Sequence, residues 1–586
     1  MDNASFSSLP SELIVRILSF LQVSKDVLNA SLTAREIYSC AQENEVWKNV
    51  IERWAYSKPL TSAVKNWKAY YISRHRLDLH IDDTVNKLIY RPEPPNNARI
   101  PRFREIPEWD LDCKDRLLQH INSPKEGEDF LARKFWAGTL LKTLHHRLAL
   151  QQWQKLIAGE DTSLERALAA FDVFIEEGDG VDFDYVSNKL DQMALVFKRD
   201  WSDYDSLSTR GKALLLAHYM LQYQGFSETT SGSSQSYYNI RNNFIGKCLK
   251  SPTKAGMPLI YVAIYCALAQ RLGLDARPIN FPGHVYIVIY PPEGVDLDDI
   301  SRAPNQPADC MYLNVHSIET LEVKETTLRQ TLAANDPPIL GREQERFLQP
   351  ADTLTMISRT RRNIMTCLHR LARHPTELGF HQTQGEELVY QFLWINMIFD
   401  NDDINVWERR HTHVGYLRER VENMHIGDWY LFQDIVLPVF RDQPEHDALQ
   451  SSIHNARLRE ADVGAPKFRT PTLRKRVKYD IGNVFHHKKY HYTGMIIGWD
   501  PSCKAPSEWQ TQHRIEDLSG GGDQCFYNIV SDDGIERYVA QENMRMFHGT
   551  ESPGEALMRL AGRYFLRWDE ENRAFVSNLK EEYPDD

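Results

Sequence analysis

Several features that would place a chain in a simple class are missing from this sequence. Its eight cysteines include no Cys-x-x-Cys pair, so neither a zinc ribbon nor a disulfide framework is indicated. The longest apolar run, Met257–Leu268, is well short of the roughly twenty residues that a membrane-spanning helix needs. No basic segment followed by an apolar one stands at the start. These absences predict a protein of the cytoplasm or nucleus, with no membrane partner.

Positive charge is also in short supply, since the net charge is −12. General binding of nucleic acid is therefore disfavoured, because nucleic-acid binders concentrate positive charge. What is present is an ordinary globular composition, with 42% hydrophobic and 26% charged residues in 586. This length predicts three or four domains. No metal site and no cofactor is predicted.

The most informative stretch runs from Tyr238 to Tyr290. Within it, an apolar helix is predicted for Pro258–Leu272, because the next residue is the helix-ending Gly273. A strand is predicted for Val285–Tyr290, directly after His284. Helix, turn and strand with a His at the mouth of the strand form the layout of a papain-like or transglutaminase-like core. In an active enzyme of this kind, the helix dipole favours a thiolate at the helix start, and the His pairs with it.

This stretch resembles the bacterial SirB-type branch of the transglutaminase-like family, which carries Gly-x-Pro and Pro-Gly-His where this chain has Gly256 to Pro258 and Pro282 to His284. The resemblance covers roughly residues 163–323. It implies that the nucleophile position falls on Pro258, which has no nucleophilic side chain. It also implies that Asn314 takes the place of the Asp that orients the His. We therefore predict no catalytic residues and a degenerate groove, lined by Pro258, His284 and Asn314, that serves as a binding surface.

A relocated nucleophile is the alternative, which would make the chain a cysteine hydrolase or acyl transferase. The nearest cysteines are Cys248, Cys266 and Cys310. Cys266 stands inside the apolar helix, where a thiol behaves as a small buried hydrophobe. Cys248 is flanked by lysines, which would lower its pKa, but it comes too early for the expected geometry.

The N-terminus carries a second informative stretch. Leu9–Leu21 predicts an amphipathic helix, and Ser24–Ser31 and Thr33–Glu43 predict two more, followed by Trp47. The Leu-Pro dipeptide, the Leu-rich helix and the closing aromatic residue resemble an F-box, a three-helix module that docks on the Skp adaptor of cullin-based ubiquitin ligases. The alternative is a helical hairpin that packs only on the next domain. The resemblance implies an adaptor-binding set of Leu9, Pro10, Leu13, Ile14, Ile17, Leu18, Leu21 and Trp47.

Near the C-terminus, short β-branched and aromatic runs separated by Gly and Asp turns predict a small barrel. These runs resemble the YccV, or HspQ-like, family, whose bacterial members are linked to hemimethylated-DNA binding and to protease-substrate handling. Acidic residues outnumber Lys and Arg from Tyr479 to His548, so a protein-binding barrel is favoured over a DNA-binding one. The basic stretch Lys467–Arg476 is predicted to be a solvated tether or an import signal. The predicted barrel surface presents His486, His487, Trp499, Tyr527 and Asn543.

The remaining segments are mainly helical by pattern. At least three antiparallel helices are predicted between Leu354 and Phe440, and the Ser-rich insert Ser227–Ser236 is predicted to be a surface loop. The predicted domains are an F-box (5–53), a helical linker region (54–160), a transglutaminase-like core (161–330), a helical annex (350–445), a YccV-like barrel (477–550) and a helical tail (551–586). The predicted fold class is therefore multidomain α+β.

This order of domains resembles a subgroup of F-box-only proteins. The resemblance implies the substrate-recognition subunit of a Skp-cullin-F-box ubiquitin ligase, a non-catalytic subunit that binds the Skp-type adaptor, and through it a cullin. The substrate protein is not indicated by the sequence. A DNA- or chromatin-binding F-box protein that uses the YccV-like barrel is the second hypothesis, and the cysteine enzyme is the third.

Overall fold

The computed structural model describes the chain except for residues 1–5, 7–8, 52–53, 55–63, 92–97, 109, 126, 177–179, 227–238, 303–308, 317–319, 374–381, 400–405, 462–464 and 548–552. The described chain forms two compact units, of which the first contains residues 1–144 and 420–586 and the second contains residues 145–419. None of the helices in the described residues combines the length and apolar character needed to cross a bilayer. The predicted insert Ser227–Ser236 lies outside the described residues.

Helices supply most of the secondary structure, and the described residues also form three sheets, of four, five and two strands. The helices are α1 (Ser11–Leu18), α2 (Ser24–Ser31), α3 (Arg35–Cys40), α4 (Asn44–Ile51), α5 (Trp67–Tyr90), α6 (Lys114–Ile121), α7 (Phe130–Ile157), α8 (Leu164–Phe174), α9 (Phe183–Asp200), α10 (Thr209–His218), α11 (Ile245–Lys250), α12 (Pro258–Arg271), α13 (Glu325–Ala333), α14 (Arg342–Leu348), α15 (Thr353–Arg373), α16 (Gln382–Ile398), α17 (Val406–Asn423), α18 (Trp429–Leu431), α19 (Leu437–Val439), α20 (His446–Ala461), α21 (Pro471–Arg476), α22 (Ser507–Gln512) and α23 (Glu555–Ala561). The strands are β1 (Asp275–Ile279), β2 (Tyr286–Tyr290), β3 (Met311–Leu313), β4 (Glu322–Val323), β5 (Val484–His487), β6 (Thr493–Asp500), β7 (Phe526–Ser531), β8 (Glu536–Ala540), β9 (Met544–Met546), β10 (Phe565–Asp569) and β11 (Ala574–Ser577). The prediction of a multidomain α+β chain is confirmed.

The N-terminal segment of the first unit contains four short helices, whereas three were predicted. The predicted third helix ends at Cys40, and a separate helix, α4, carries Trp47. The chain turns between α3 and α4, where the Gln42 amide donates to the Tyr38 carbonyl (3.0 Å) and the Trp47 indole donates to the Ala41 carbonyl (2.7 Å). These hydrogen bonds satisfy groups that a continuous helix would have used, so the segment forms two helices.

The C-terminal part of the first unit is built on a five-stranded antiparallel sheet in the order β8-β7-β6-β5-β9. Its core contains Phe485, Met495, Trp499 and Tyr527, which are all buried. A β-bulge between Ile496 and Gly498 bends β6. Bending of this kind curves a small sheet around its own core.

The predicted helical tail is wrong beyond α23. After Ala561 the chain forms a two-stranded antiparallel hairpin, β10 and β11, in which Trp568 pairs with Phe575. The apolar residues of the tail are spaced both as one face of a helix and as one face of a hairpin, so the pattern alone favoured the wrong structure. Buried Phe565 and Phe575, whose stacked rings are 5.2 Å apart, join this hairpin to the core of the sheet.

The second unit surrounds α12, a helix that is apolar on nearly all sides. Ten of its fourteen residues, between Leu259 and Ala269, are buried. The short sheet β1-β2-β3-β4 follows α12 directly, and all of its strand pairs are antiparallel. Gly273, with φ of 76°, allows the reversal from helix to strand. Strands β1 and β4 were not predicted, because β1 is largely exposed and β4 has only two residues, so neither shows a clear alternation.

Candidate functional site

The resemblance to transglutaminase-like enzymes puts the nucleophile position at the start of α12. Pro258 is the first residue of the helix and follows Met257, whose backbone N–H donates to the Asn242 carbonyl (2.7 Å). The missing N–H of proline is no loss at this position, because the first N–H groups of a helix have no partner inside the helix. Pro258 therefore suits the start of a helix and brings no group that could attack a substrate.

The predicted groove residues His284 and Asn314 are in direct contact. The His284 Nε2 atom lies 3.2 Å from the Asn314 side-chain oxygen, and the Asn314 amide donates to the Thr320 hydroxyl (3.1 Å). His284 lies two residues before β2 and Asn314 directly follows β3, so the pairing of these strands brings the two side chains together. The pair has the form of an imidazole held by an amide, and both residues are half-buried.

A second histidine, which the sequence analysis did not single out, belongs to the same cluster. The ring of His316 lies 5.2 Å from the ring of His284 and 5.5 Å from that of Tyr261 on α12. Burial, and to a smaller extent the nearby His284, lowers the pKa of His316 to about 3. His316 is therefore neutral at physiological pH and packs as a ring, not as a charged group. His316 stands only two residues after Asn314, and this short spacing could have indicated that it belongs to the same cluster.

The three cysteines considered as relocated nucleophiles are protonated at neutral pH. Burial raises the pKa of the Cys248 thiol to about 12, and this thiol donates to the Lys254 carbonyl (3.2 Å). Burial also raises the pKa of the Cys266 and Cys310 thiols. The nucleophile of a cysteine enzyme is the thiolate, which these environments disfavour. The lysines next to Cys248 in the sequence do not overcome its burial.

The N-terminal helices divide the predicted adaptor-binding residues into two groups. Leu9, Leu13 and Ile17 are exposed, with half of the Leu13 side chain in solvent, as is Pro10, and Leu21 is partly exposed. In contrast, Ile14, Leu18 and Trp47 are buried in the core of the four helices, so their prediction as contact residues is wrong. Helix α1 carries apolar residues on two of its faces, so the sequence pattern does not say which face is buried. The packing of α3 and α4 against α1 decides this.

The same helices expose apolar residues that the sequence analysis did not assign to the site. Phe20 is 72% exposed and Leu32 is 82% exposed. The other members of this exposed set are Phe6, Val23, Leu28 and Tyr38. We call these residues, together with Leu9, Leu13 and Ile17, the N-terminal apolar face. The signal that could have identified Phe20, Val23 and Leu32 was their position as large apolar side chains in loops between short helices.

The predicted barrel surface is mostly interior. Trp499 and Tyr527 are buried, and so is His487, whose Nδ1 accepts hydrogen bonds from the backbone N–H groups of Lys489 and Tyr490 (both 3.1 Å). Only His486 and Asn543 are partly exposed. The prediction is wrong for the three buried residues, because strands covered on both faces bury side chains that alternation would place outside.

Two buried aromatic residues of this sheet form hydrogen bonds with polar groups of the flanking segments. The Trp499 indole donates to the Asp586 carboxylate (3.1 Å), and the Tyr527 hydroxyl donates to the Gln541 side chain (2.9 Å). The Tyr527 hydroxyl also accepts from the backbone N–H groups of Lys478 and Tyr479. These residues therefore connect the sheet to the segments that flank it and stabilise the fold.

The basic stretch before the sheet is packed at Lys467 and Arg469 and exposed at its end, so only part of it matches the predicted solvated tether. Arg469 is buried and forms an ion pair with Asp586, and its guanidinium also donates to the carbonyls of Val477 and Tyr479. Lys467 donates to the Tyr583 hydroxyl (3.2 Å) and pairs with carboxylates. Arg469 and Lys467 are therefore paired with carboxylates, whereas Arg474, Lys475 and Arg476 are exposed.

Comparison with protein families assigns a domain type to three parts of the chain. The F-box-like family matches residues 6–53. The transglutaminase-like superfamily matches residues 184–362. The family described as hemimethylated DNA-binding protein YccV like matches residues 477–572. The three domain types inferred from motifs in the sequence are thereby confirmed.

Among curated proteins, the chain is similar to F-box only protein 21 of Mus musculus, with 24% identity over 99% of this chain and 92% of the mouse protein. The proteins of the same name from Pongo abelii and Homo sapiens are each 23% identical, over the same shares of both chains. No solved structure matches this chain.

Proposed function

We propose that this chain, which combines F-box-like, transglutaminase-like and YccV-like domains and is similar to proteins named F-box only protein 21, is the substrate-recognition subunit of a Skp-cullin-F-box ubiquitin ligase. The F-box-like domain and the curated relatives support a role in substrate recognition. In this role the N-terminal helices hold a Skp-type adaptor and through it a cullin, while the rest of the chain binds the protein to be ubiquitylated.

The observation that carries the proposal is the N-terminal apolar face. Its members include Leu13, Ile17, Phe20 and Leu32, all of them exposed on a module of four short helices. Exposing a set of large apolar side chains is unfavourable by roughly 25 cal/mol for each Å² in contact with water. A partner protein that covers them recovers this free energy, which is why contiguous exposed apolar patches mark interaction sites.

The geometry around α12 supports a binding role for the transglutaminase-like domain. Pro258 occupies the nucleophile position, the thiol of Cys248 has a raised pKa, and His316 is neutral. The His284 side chain is held by its contact with Asn314. Chemistry then belongs to the recruited conjugating enzyme, and this chain contributes proximity, because holding two reactants together converts a bimolecular step into an effectively unimolecular one.

The YccV-like domain is proposed to bind protein and not DNA. Phosphate contacts require exposed, clustered cations. Within this domain Arg537 is paired with Asp533, and in the segment before it Arg469 is paired with Asp586 and Lys467 with Asp500. We also propose that this chain resides in the cytoplasm, the nucleus or both.

The test is whether the intact chain co-purifies with a Skp-type adaptor. We expect the double variant Leu13→Asp, Ile17→Asp to lose the adaptor, because two carboxylates on the N-terminal apolar face would have to be desolvated in the complex. Both side chains are exposed, so the variant has no reason to unfold.

A matched control replaces exposed leucines elsewhere on the chain. Leu195→Asp with Leu458→Asp changes two side chains that are 70% and 53% exposed, and adaptor binding should be retained. Persistence of the complex in the double variant at Leu13 and Ile17 would contradict the proposed role of this face.

A further inference from the structure

The second unit contains a cavity that none of the domain assignments explains. Its volume is about 660 Å³, within the range of roughly 300–1,000 Å³ that is usual for ligand sites. It lies between the end of α8, the segment 239–244, helix α11, the turn 251–255 that precedes α12, and α16. Phe244 and Leu388 give it an apolar part, and Asn242, Ser251 and Thr253 supply polar groups.

Three cations line this cavity: Arg241, Lys247 and Lys250. Lys247 and Lys250 stand three residues apart on α11, so their side chains share one face of the helix. In the described part of the chain neither ammonium group has an ion pair or a hydrogen bond. Lys254, which does not line the cavity, is different, because its ammonium donates to the Leu249 carbonyl. The two cavity lysines are thus available to a ligand.

The N-terminal end of α11 is held by a side chain from another helix. The residue before the helix, Phe244, has no side chain that could cap it, and Asp172 on α8 takes this role by accepting from the backbone N–H of Lys247 (2.9 Å). Gly246 permits the close approach, since a Cβ there would lie 2.1 Å from the Val181 side chain. Lys247 is therefore held at a defined place by a bond that does not involve its ammonium group.

The charge of Lys247 is only partly offset by this carboxyl group. Burial raises the pKa of Asp172 to about 7, against the lowering effects of its backbone hydrogen bonds and of Lys247. A carboxyl group with this pKa is partly protonated at neutral pH. Of the two acidic residues that line the cavity, Glu176 accepts from the backbone N–H of Val181 (3.2 Å), so part of its charge is also used within the fold.

We propose that this cavity binds an acidic segment of the substrate protein, with a carboxylate or phosphate group of that segment placed against Lys247 and Lys250. The proposal names the substrate class of the receptor proposed above, and its physiological meaning rests on that function. Lysine and arginine side chains recognise both anions through charge-assisted hydrogen bonds. The apolar part of the cavity, at Phe244 and Leu388, would take a neighbouring apolar side chain of the same segment.

The test selects peptides on the intact, immobilised chain from two random libraries, one with a central serine and one with a central phosphoserine. We expect the bound peptides to be enriched in Asp and Glu or to come mainly from the phosphorylated library. Enrichment in both libraries identifies a carboxylate ligand, whereas enrichment in the phosphorylated library alone identifies a phosphate.

The decisive variant is Lys247→Gln with Lys250→Gln, which removes both charges and keeps the backbone bond to Asp172. Binding of the selected peptides should weaken about tenfold or more, because charge-assisted hydrogen bonds are lost. The matched control, Lys155→Gln with Lys198→Gln, removes two exposed lysines from the same unit and should bind as the unmodified chain does. Bound peptide should also protect Lys247 and Lys250, and not Lys155, from acetylation by acetic anhydride.

The proposal is overturned if no peptides are enriched, if the enriched peptides are neutral or basic, or if the cavity variant binds them as well as the control does. The peptide assay needs no adaptor, so its result is separate from that of the co-purification experiment. Peptide binding without adaptor binding would leave the cavity site standing and remove the ligase role. Adaptor binding without peptide selection would leave the ligase role standing and remove the cavity site.

Discussion

The N-terminal helices and the C-terminal sheet use their large apolar side chains in opposite ways. Leu13 and Phe20 are 50% and 72% exposed on the helices, whereas Trp499 and Tyr527 in the sheet are 1% and 0% exposed. The sequence suggested that both regions offer such residues to partners. In this structure the helices expose a large set of such residues, whereas the aromatic residues assigned to the sheet surface, Trp499 and Tyr527, are buried.

The physical reason is the amount of core that each region can build. The F-box-like segment is too short to bury all of its apolar residues, so one face stays in water. The sheet is covered by α23, by the hairpin of β10 and β11, and by the buried pair of Arg469 and Asp586, so its aromatic residues have a core to fill. The comparison shows that an aromatic residue in a predicted strand is weak support for a binding surface until its burial is known.

The largest expected effect is in the sheet. Trp499→Ala should lower the free energy of opening of β6 and β7 by about 3–5 kcal/mol, because it leaves a large cavity and removes a hydrogen bond to buried Asp586. Hydrogen exchange measured by mass spectrometry on these strands checks this, since a chain of several domains has no single unfolding free energy.

The control in the same region is Tyr490→Ala, because the Tyr490 side chain is 66% exposed. It should change strand protection by no more than about 0.5 kcal/mol. Equal effects of the two substitutions would break the comparison between the two regions.

A smaller effect separates the two faces of α1. Ile14→Ala should destabilise the N-terminal helices by about 2–4 kcal/mol, since Ile14 is fully packed in their core. Leu13→Ala should leave their stability within about 0.5 kcal/mol and weaken adaptor binding instead. Hydrogen exchange on α1 measures the first effect, and calorimetric titration with the adaptor measures the second. A stability loss for Leu13→Ala as large as that for Ile14→Ala would show that the exposed face is not exposed in solution.

The smallest expected effect concerns charge. Arg16 pairs with Glu45 on the helical segment at 3.3 Å, and both side chains are more than half exposed. Arg16→Ala should therefore change the stability of α1 by less than about 1 kcal/mol, and the change should shrink as salt is added. Hydrogen exchange on α1, measured at low and at high salt, reports this change in stability. A salt-independent loss would mean that Arg16 acts through its contact with Phe20 and not through the ion pair.

Local signals predicted the main helices well. The bounds of α2 match the predicted Ser24–Ser31, and α12 starts at the predicted Pro258 and ends one residue before Leu272. Capping residues, prolines and Gly273 act through neighbouring atoms, so they can be read from a single stretch. The contact of His284 with Asn314 also follows from the resemblance, because the motif fixes which strand ends meet.

The failures share a different cause. Ile14, Leu18, Trp47, Trp499, Tyr527 and His487 were assigned to surfaces and are buried. The tail after Ala561 is a hairpin, and its apolar spacing fits a helix as well. In each case two arrangements have the same local pattern, and residues distant in the sequence decide between them.

The sequence by itself determined the three domain types, the proline at position 258 and the presence of an apolar excess in the first fifty or so residues. Only the tertiary structure decided which side of α1 faces water, where the charge of Arg469 goes, and that Lys247 and Lys250 line one cavity. The reason is that residue type and spacing are local properties, whereas burial and ion pairing depend on which distant segments come into contact.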